Sequence, residues 1–290
     1  METLKFHKTE CGVDFLLNVL SAEELKGYYL KREVFNTDFF EIIFIKKGEG
    51  HLVLNYKKIE IKDNSIIFIS PFEKRQWYFK TENPEFTMLA FQEDFLNDFF
   101  SDKLFTYRLL YFYQFEYALN MQVNKSVTDF YCALLSEMKT ELLKTKADSG
   151  HIIRSLIYYL LQKLNREYAE EHHLALEKEG NNYAFQFRKL IEIHFSSKHR
   201  INDYLDMLKV SRITLNKAVK EQFNVTATYL LKQRLLIEIK NYLIHSELTV
   251  GEIAYKLNFS EPNHLMRFFK KQTGMTTTEF LADYQNGTYS

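Results

Sequence analysis

Asn263, His264, Arg267, Lys270 and Lys271 fall within one short stretch, PNHLMRFFKK, at the spacing of one side of an α-helix. Amides and arginines can pair with the edges of bases, and lysines with phosphates, so such a row suits a polyanion that carries a readable groove. Leu265, Phe268 and Phe269 interleave with them and predict a packed opposite face. To present the row, the chain must stop one helix and start another just upstream. Thr249 and Glu252 have the spacing of a capping box, which opens a helix with Ile253, Ala254 and Leu257 turned inward. Asn258 stands where the turn requires a positive φ, which Asn tolerates better than most residues. Phe259 is expected to plug the core and Ser260 to cap the second helix, with Pro262 in its first turn, where a missing N–H is harmless. The pattern from Thr249 to Phe280 is therefore a helix-turn-helix, an arrangement that sets side chains into a DNA major groove.

The same pattern recurs upstream, over Ile201–Leu230, at an offset of fifty residues. Leu215 matches Leu265, Lys217 matches Arg267, Lys220 matches Lys270, Asn224 matches Gly274, Thr226 matches Thr276 and Leu230 matches Phe280. Ser211 and Ser260 miss that offset by one, so the two turns are expected to differ in length. Between the copies, Thr228 to about His245 predicts a helix of 18 residues. Such a helix is about 27 Å long, against about 34 Å between successive faces of one major groove. One chain could thus set two reading helices in adjacent groove segments.

Charge supports the placement. The net formal charge of the 290 residues is zero, yet residues 183–290 hold 15 Lys+Arg against 10 Asp+Glu, and the remainder 23 against 28. The basic half is the one expected to meet a polyanion. The N-terminus lacks the apolar core of a signal peptide, and no apolar run is long enough to span a bilayer. Cys11 and Cys132 have neither metal-ligand nor redox spacing. A cytoplasmic location is expected, with no membrane partner.

The elements ahead of this half are of two kinds. Residues 14–92 alternate apolar runs (Phe39–Ile45, His51–Leu54, Ile66–Ile69, Trp77–Phe79, Phe86–Phe91) with turn signals, and predict antiparallel strands in a small barrel or sandwich. From Gln92 the pattern becomes helical. Val127, Tyr131, Leu134, Met138 and Leu142 form one apolar stripe; Ile152, Ile153, Leu156, Leu160 and Leu164 form another after a break at Asp148-Ser149-Gly150. Two helices across a short break predict an antiparallel pair, which either packs on the barrel or serves a dimer interface. Glu177–Asn182 is the expected linker, with Asn182 as cap of the next helix.

Residues 183–285 resemble the DNA-binding domain of AraC-type (AraC/XylS) transcription regulators. The resemblance rests on Arg234-Leu235, expected to open the connecting helix, and on Gly251-Glu252-Ile253-Ala254, Asn258-Phe259-Ser260, Arg267-Phe268-Phe269-Lys270-Lys271 and Gly274-Met275-Thr276. The N-terminal half resembles, more loosely, the cupin-like sensor barrel of that family, in FFEIIFIKKGEG and IIFISPFEKRQW. The chain departs from the family pattern with Lys209 and Asn258 at turns that commonly hold Gly, Leu205 in place of a small Ala, and Thr277 in place of Pro. The resemblance implies base-reading positions at Ile213, Asn216 and Lys217 in the first unit and at Asn263, His264 and Arg267 in the second. Asn suits adenine, Arg or Lys suits guanine, and Ile213 suits a thymine methyl. Ser211, Arg212, Ser260, Lys270 and Lys271 are expected at phosphates.

A cupin barrel can also be a metal enzyme. That needs clustered His and carboxylate ligands, whereas the barrel region holds only His51, and Glu41, Glu49 and Glu73 read as solvated carboxylates near strand ends. No catalytic residue, metal site or cofactor is therefore expected. Arg75, Trp77 and Tyr78 would suit a small effector, a sugar or carboxylate, if they meet at a barrel mouth; otherwise Trp77 is core and Arg75 solvated. The whole reading is an α+β chain: a cupin-like antiparallel β-barrel over 1–120, a helical dimerisation and linker region over 121–175, and an all-α domain over 183–285 whose two helix-turn-helix units share a long helix. The expected function is sequence-specific transcription regulation as a homodimer on double-stranded DNA, with RNA polymerase as a further partner of an activator. The alternative is a barrel protein whose basic domain binds RNA or a protein; nothing in it resembles an RNA-stacking surface.

Overall fold

The computed structural model describes residues 2–4, 17–29, 34–37, 39–55, 57–71, 73–92, 105–112, 118–174, 176, 182–223 and 225–285. The linker at 177–181, Cys11 and Asn224 lie outside them. Two compact units meet at residues 173 and 174.

The first unit is built on two five-stranded sheets. One runs β1 (Glu2–Leu4), β3 (Phe35–Thr37), β8 (Arg75–Phe79), β5 (Gly50–Leu54), β6 (Lys57–Ile61); the other runs β10 (Asn120–Gln122), β7 (Ser65–Ile69), β4 (Phe40–Lys47), β9 (Glu85–Phe91), β2 (Leu17–Ser21). All pairings are antiparallel except β1 with β3, which is parallel. Alternate residues from both sheets, including Ile43, Ile45, Leu52, Leu54, Ile67, Ile69, Trp77, Phe86 and Met88, share one core. Asn55 takes a positive φ (56°) at the β5–β6 hairpin turn, and Asn64 (58°) where the chain passes from β6 in one sheet to β7 in the other. Gly50 is required where β5 passes β8, because a Cβ there would collide with the Tyr78 carbonyl oxygen.

β7, and β4 from Ile42 to Ile45, read as unbroken apolar runs because both faces of their sheet are covered. Phe44 and Phe68 point away from the shared core, onto Tyr131, Tyr111 and Tyr168. Tyr111 belongs to a 3-10 turn, Leu110–Phe112, that follows short helix α2 (Phe105–Arg108); α1 (Ala22–Tyr29) follows β2. Tyr131 and Tyr168 belong to the helical pair, α3 (Lys125–Leu143) and α4 (Ser149–Glu171). The pair packs on the sheet. Tyr168 donates to the Ala118 carbonyl at 2.9 Å, and the Leu110 N–H donates to Asn165 Oδ1 at 2.7 Å. The buried stripes are shifted from the sequence expectation. On α3 they are Thr128, Tyr131, Leu135, Met138 and Leu142, and on α4 Ile153, Ile157, Leu160, Leu161, Leu164 and Tyr168. Val127, Leu134, Ile152 and Leu156 are only half-buried. Tight packing selects the residues that face the sheet, whereas the periodicity fitted neighbours on the flank. Tyr158 and Tyr159 stay exposed on α4, as does Phe130 on α3.

The second unit is all-helical: α5 (Asn182–His194), α6 (Ile201–Leu208), α7 (Arg212–Phe223), α8 (Ala227–His245), α9 (Val250–Lys256), α10 (Pro262–Thr273) and α11 (Thr277–Gln285). α8 has 19 residues. Arg234-Leu235 lies in its middle rather than at its start, where Leu235, Leu236, Ile239 and Leu243 enter the core of the second copy. Among the described residues no helix is long and apolar enough to cross a membrane.

Candidate nucleic-acid interface

The second copy holds its outward row in place from behind. Thr249 Oγ1 accepts from the Glu252 N–H at 3.2 Å, and Glu252 accepts from the Thr249 N–H at 2.7 Å, so the capping box is complete. The bond from the Thr249 N–H, and then one that the Thr249 hydroxyl donates to the same carboxylate at 2.7 Å, hold the Glu252 carboxyl below the usual carboxylate range. Asn258 turns the chain at φ 56°. Ala254 is buried at 1%, which lets α10 approach α9; Leu265 and Phe269 are fully buried against α8 and α11. Phe259 and Phe268 are half-buried at the rim of that core. Asn263, His264, Arg267, Lys270 and Lys271 are exposed together on α10.

Ser260 does not cap α10. The cap residue is Glu261, whose side chain makes no capping bond. Ser260 Oγ is hydrogen-bonded to His264 Nδ1 instead, at 2.6 Å. In the first copy Ser211 does cap α7, accepting from the Thr214 N–H at 3.1 Å. Glu261 is thus the extra residue that shifts the repeat offset from 49 at Lys209 and Asn258 to 50 at Leu215 and Leu265.

In the first copy Lys209 takes the left-handed turn at φ 53° without the ease of Gly. Leu205 is half-buried, where Ala254 is buried in the second copy. Ile213 is 82% exposed, uncommon for an apolar side chain and suited to a methyl contact. Lys217 is exposed beside it, and Arg212 donates to Asn202 Oδ1 at 2.9 Å. Asn216 is half-buried, and its Oδ1 accepts from the Ala227 N–H at the start of α8, at 3.0 Å. Adenine recognition by Asn uses Oδ1 as acceptor as well as Nδ2 as donor, so this residue is already engaged in joining α7 to α8. The sequence pattern did not single out Tyr255, 88% exposed on α9, or Met266, 39% exposed among the expected reading positions. The inward spacing of Ile253, Ala254 and Leu257 was the available signal that Tyr255 points out.

The three β-unit residues do not form one site. Arg75 and Trp77 alternate with Tyr78, so the first two face the core and Tyr78 faces away, stacked on His51 at 4.5 Å. Arg75 is neither solvated nor open at a mouth. It is buried, ion-paired with Glu41 from the opposite sheet, and donates to Thr37 Oγ1. Burial pulls its pKa down, to about 9. Glu41 is thus not a solvated carboxylate, because its place in β4 points it between the sheets. Glu73 is not free either: it accepts from the Ser70 N–H at 2.8 Å and from Asn55 Nδ2 at 3.3 Å. Among the described residues no three His, Cys, Asp or Glu side chains converge as a metal site.

The match to a family model agrees with this geometry. Residues 204–283 match the family model of a helix-turn-helix domain. The chain is 25% identical over 240 residues to the HTH-type transcriptional activator RhaS of Escherichia coli K12, covering 81% of this chain and 82% of that one. Among solved structures it is similar to ToxT from Vibrio cholerae, with 16% identity, a TM-score of 0.43, and coverage of 92% of this chain and 97% of that one. It is also similar to the DNA-binding domain of AdpA in complex with a target DNA, at 17% identity and a TM-score of 0.32, over 36% of this chain and 94% of that one. The second unit is an AraC-type helix-turn-helix domain. The chain that carries it is a DNA-binding transcription regulator.

Proposed function

We propose that this regulator binds specific duplex sites in the cytoplasm as a homodimer, and activates transcription by placing RNA polymerase beside it. It performs no catalysis and needs no cofactor. The observation that carries the reading is the exposed row on α10, backed by a capped α9 and a left-handed turn at Asn258. In this reading Asn263, His264 and Arg267, with Ile213, Asn216 and Lys217, read bases. Ser211, Arg212, Ser260, Lys270 and Lys271 hold phosphates. The helical pair over 121–175 is the dimerisation element, supported by the aromatic residues Phe130, Tyr158 and Tyr159 left exposed on it. The β unit over 1–120 senses a small effector or serves dimerisation alone; the buried Glu41–Arg75 pair leaves Arg75 for an effector only if Glu41 yields its place. Activation follows the named activity of the RhaS relative.

Selection of duplexes from a random library by the full chain tests the reading. Recovery of a defined sequence, bound less tightly by Arg267→Ala by about 5- to 150-fold, supports it. Equal affinity for all duplexes, unchanged by that substitution, overturns the assignment of α10 and favours an RNA or protein partner for the basic unit.

A further inference from the structure

The two helix-turn-helix copies are joined by α8, and a second connection lies beside it. The chain between α5 and α6 runs directly into the first copy at Ile201, yet it touches the turn of the second. Asn258 Nδ2 donates to the Ser197 carbonyl at 3.1 Å. The His199 ring lies 4.7 Å from the Phe259 ring, and its Nε2 is buried with no hydrogen-bond partner among the described residues. Phe195, just past α5, packs into the core of the second copy. The Arg234 guanidinium of α8 covers Phe195 at 3.8 Å and pairs with Glu192 of α5 at 2.8 Å and Glu238 of α8 at 2.9 Å. Burial alone would lower the pKa of Arg234, but the two carboxylates outweigh it and raise the pKa.

We propose that Ser197 and His199, held on Asn258 and Phe259, form a second strut between the two copies that fixes the separation and angle of reading helices α7 and α10. This rests on the DNA-reading assignment above. A single helical connection leaves α10 free to rock about the axis of α8. A second attachment away from that axis removes the freedom, and Asn258 and Phe259 are only a few residues ahead of Pro262, where α10 begins. Asn258 and His199 are then positioning residues for spacing: they touch no base, yet decide which distance between two recognised segments is accepted. Inserting one base pair turns the second segment by about a tenth of a turn and moves it about 3.4 Å. A rigid pair of helices should reject that change and a loosened pair should tolerate it.

The test uses the full chain and the duplex that the wild type selects from a random library, with its two protected segments mapped by footprinting. Asn258→Gly keeps the left-handed turn and removes only the amide; His199→Ala removes the ring contact, and circular dichroism of each variant checks the fold. One base pair is then inserted between the segments. The wild type should lose about ten-fold or more in affinity on insertion, and each variant less than about three-fold. An insertion penalty equal to that of the wild type in a folded variant would overturn the strut while leaving DNA reading intact. Protection of a single segment by the wild type would also overturn the strut alone. Selection of no sequence would overturn both.

Discussion

At the level of single residues, Asn216 is the sharpest case of one side chain with two claims on it. Its Oδ1 is bonded to the Ala227 N–H, a donor that the first turn of α8 leaves unpaired. Asn216→Ala should cost about 1 kcal/mol in a urea melt, because that N–H loses its acceptor. Asn216→Asp should keep the melt, since a carboxylate caps the same N–H and suits the helix N-terminus. If Asn216 also reads a base, the Asp variant will still lose specific affinity, as it has no amide donor for adenine N7. An Asp variant with both full stability and full affinity would remove Asn216 from the reading set. Arg75 poses a different question, because its partner Glu41 is as deeply buried as it is. Arg75→Met alone should cost about 3–5 kcal/mol by stranding a carboxylate between the sheets, and adding Glu41→Leu should restore most of the loss. Urea melts of Arg75→Met, Glu41→Leu and the double variant decide this; a double-variant loss equal to the sum of the two single losses would mean that the pair is not coupled.

At the level of elements, capping carries much of the second copy. α9 is only seven residues long, so its ends matter more than its propensity. Glu252 accepts from the Thr249 N–H, and Glu279 from the Thr276 N–H at 2.7 Å. Both carboxyls are held below the usual carboxylate range by these bonds. A carboxyl whose pKa is lower in the folded chain adds stability above its unfolded pKa and loses it as pH falls through the folded one. The melting temperature of the helical unit should therefore drop in acid, below the ordinary carboxylate pKa. The Glu252→Gln/Glu279→Gln variant, which keeps the acceptors but cannot titrate, should drop less. Thermal melts across that range check this, and parallel curves would refute it. These elements were legible in the sequence because capping, turn chemistry and helical period are local. The capping box, the left-handed Asn258 and the buried Leu265 and Phe269 follow from residues within one or two turns of each other. The misassigned residues depend on partners far along the chain. Nothing near Arg75 announces that Glu41, on the opposite sheet, will neutralise it. The parallel β1–β3 pair needs residues 2 and 35 to meet. Ser260 was expected to cap because Ser is a favoured cap just ahead of a helix with Pro in its first turn, and the added Glu261 was visible only as a one-residue slip in the repeat.

At the level of the whole molecule, charge and symmetry decide how the chain meets DNA. The basic half carries a net +5 and the remainder −5, so the field of the duplex attracts one unit and repels the other. Attraction through phosphates has a countable signature, because each neutralised phosphate adds about 0.9 to the fall of log K with log salt. Lys270 and Lys271 are exposed side by side at the end of α10 and are assigned to phosphates. Replacing both with Ala should lower the slope by about 1.8 for each chain bound to the duplex. A twofold dimer that engages both basic units should therefore show about twice that change, roughly 3.6, at a full site. On a duplex cut to one half-site the change should return to the single-chain figure. Titrations of wild type and variant at several salt concentrations, on both duplexes, thus measure the phosphate role of two lysines and the number of chains on the site together. An unchanged slope would release Lys270 and Lys271 from the phosphates. A single-chain change at the full site would mean that only one basic unit engages, and that the helical pair serves another purpose than bringing two reading units to one operator.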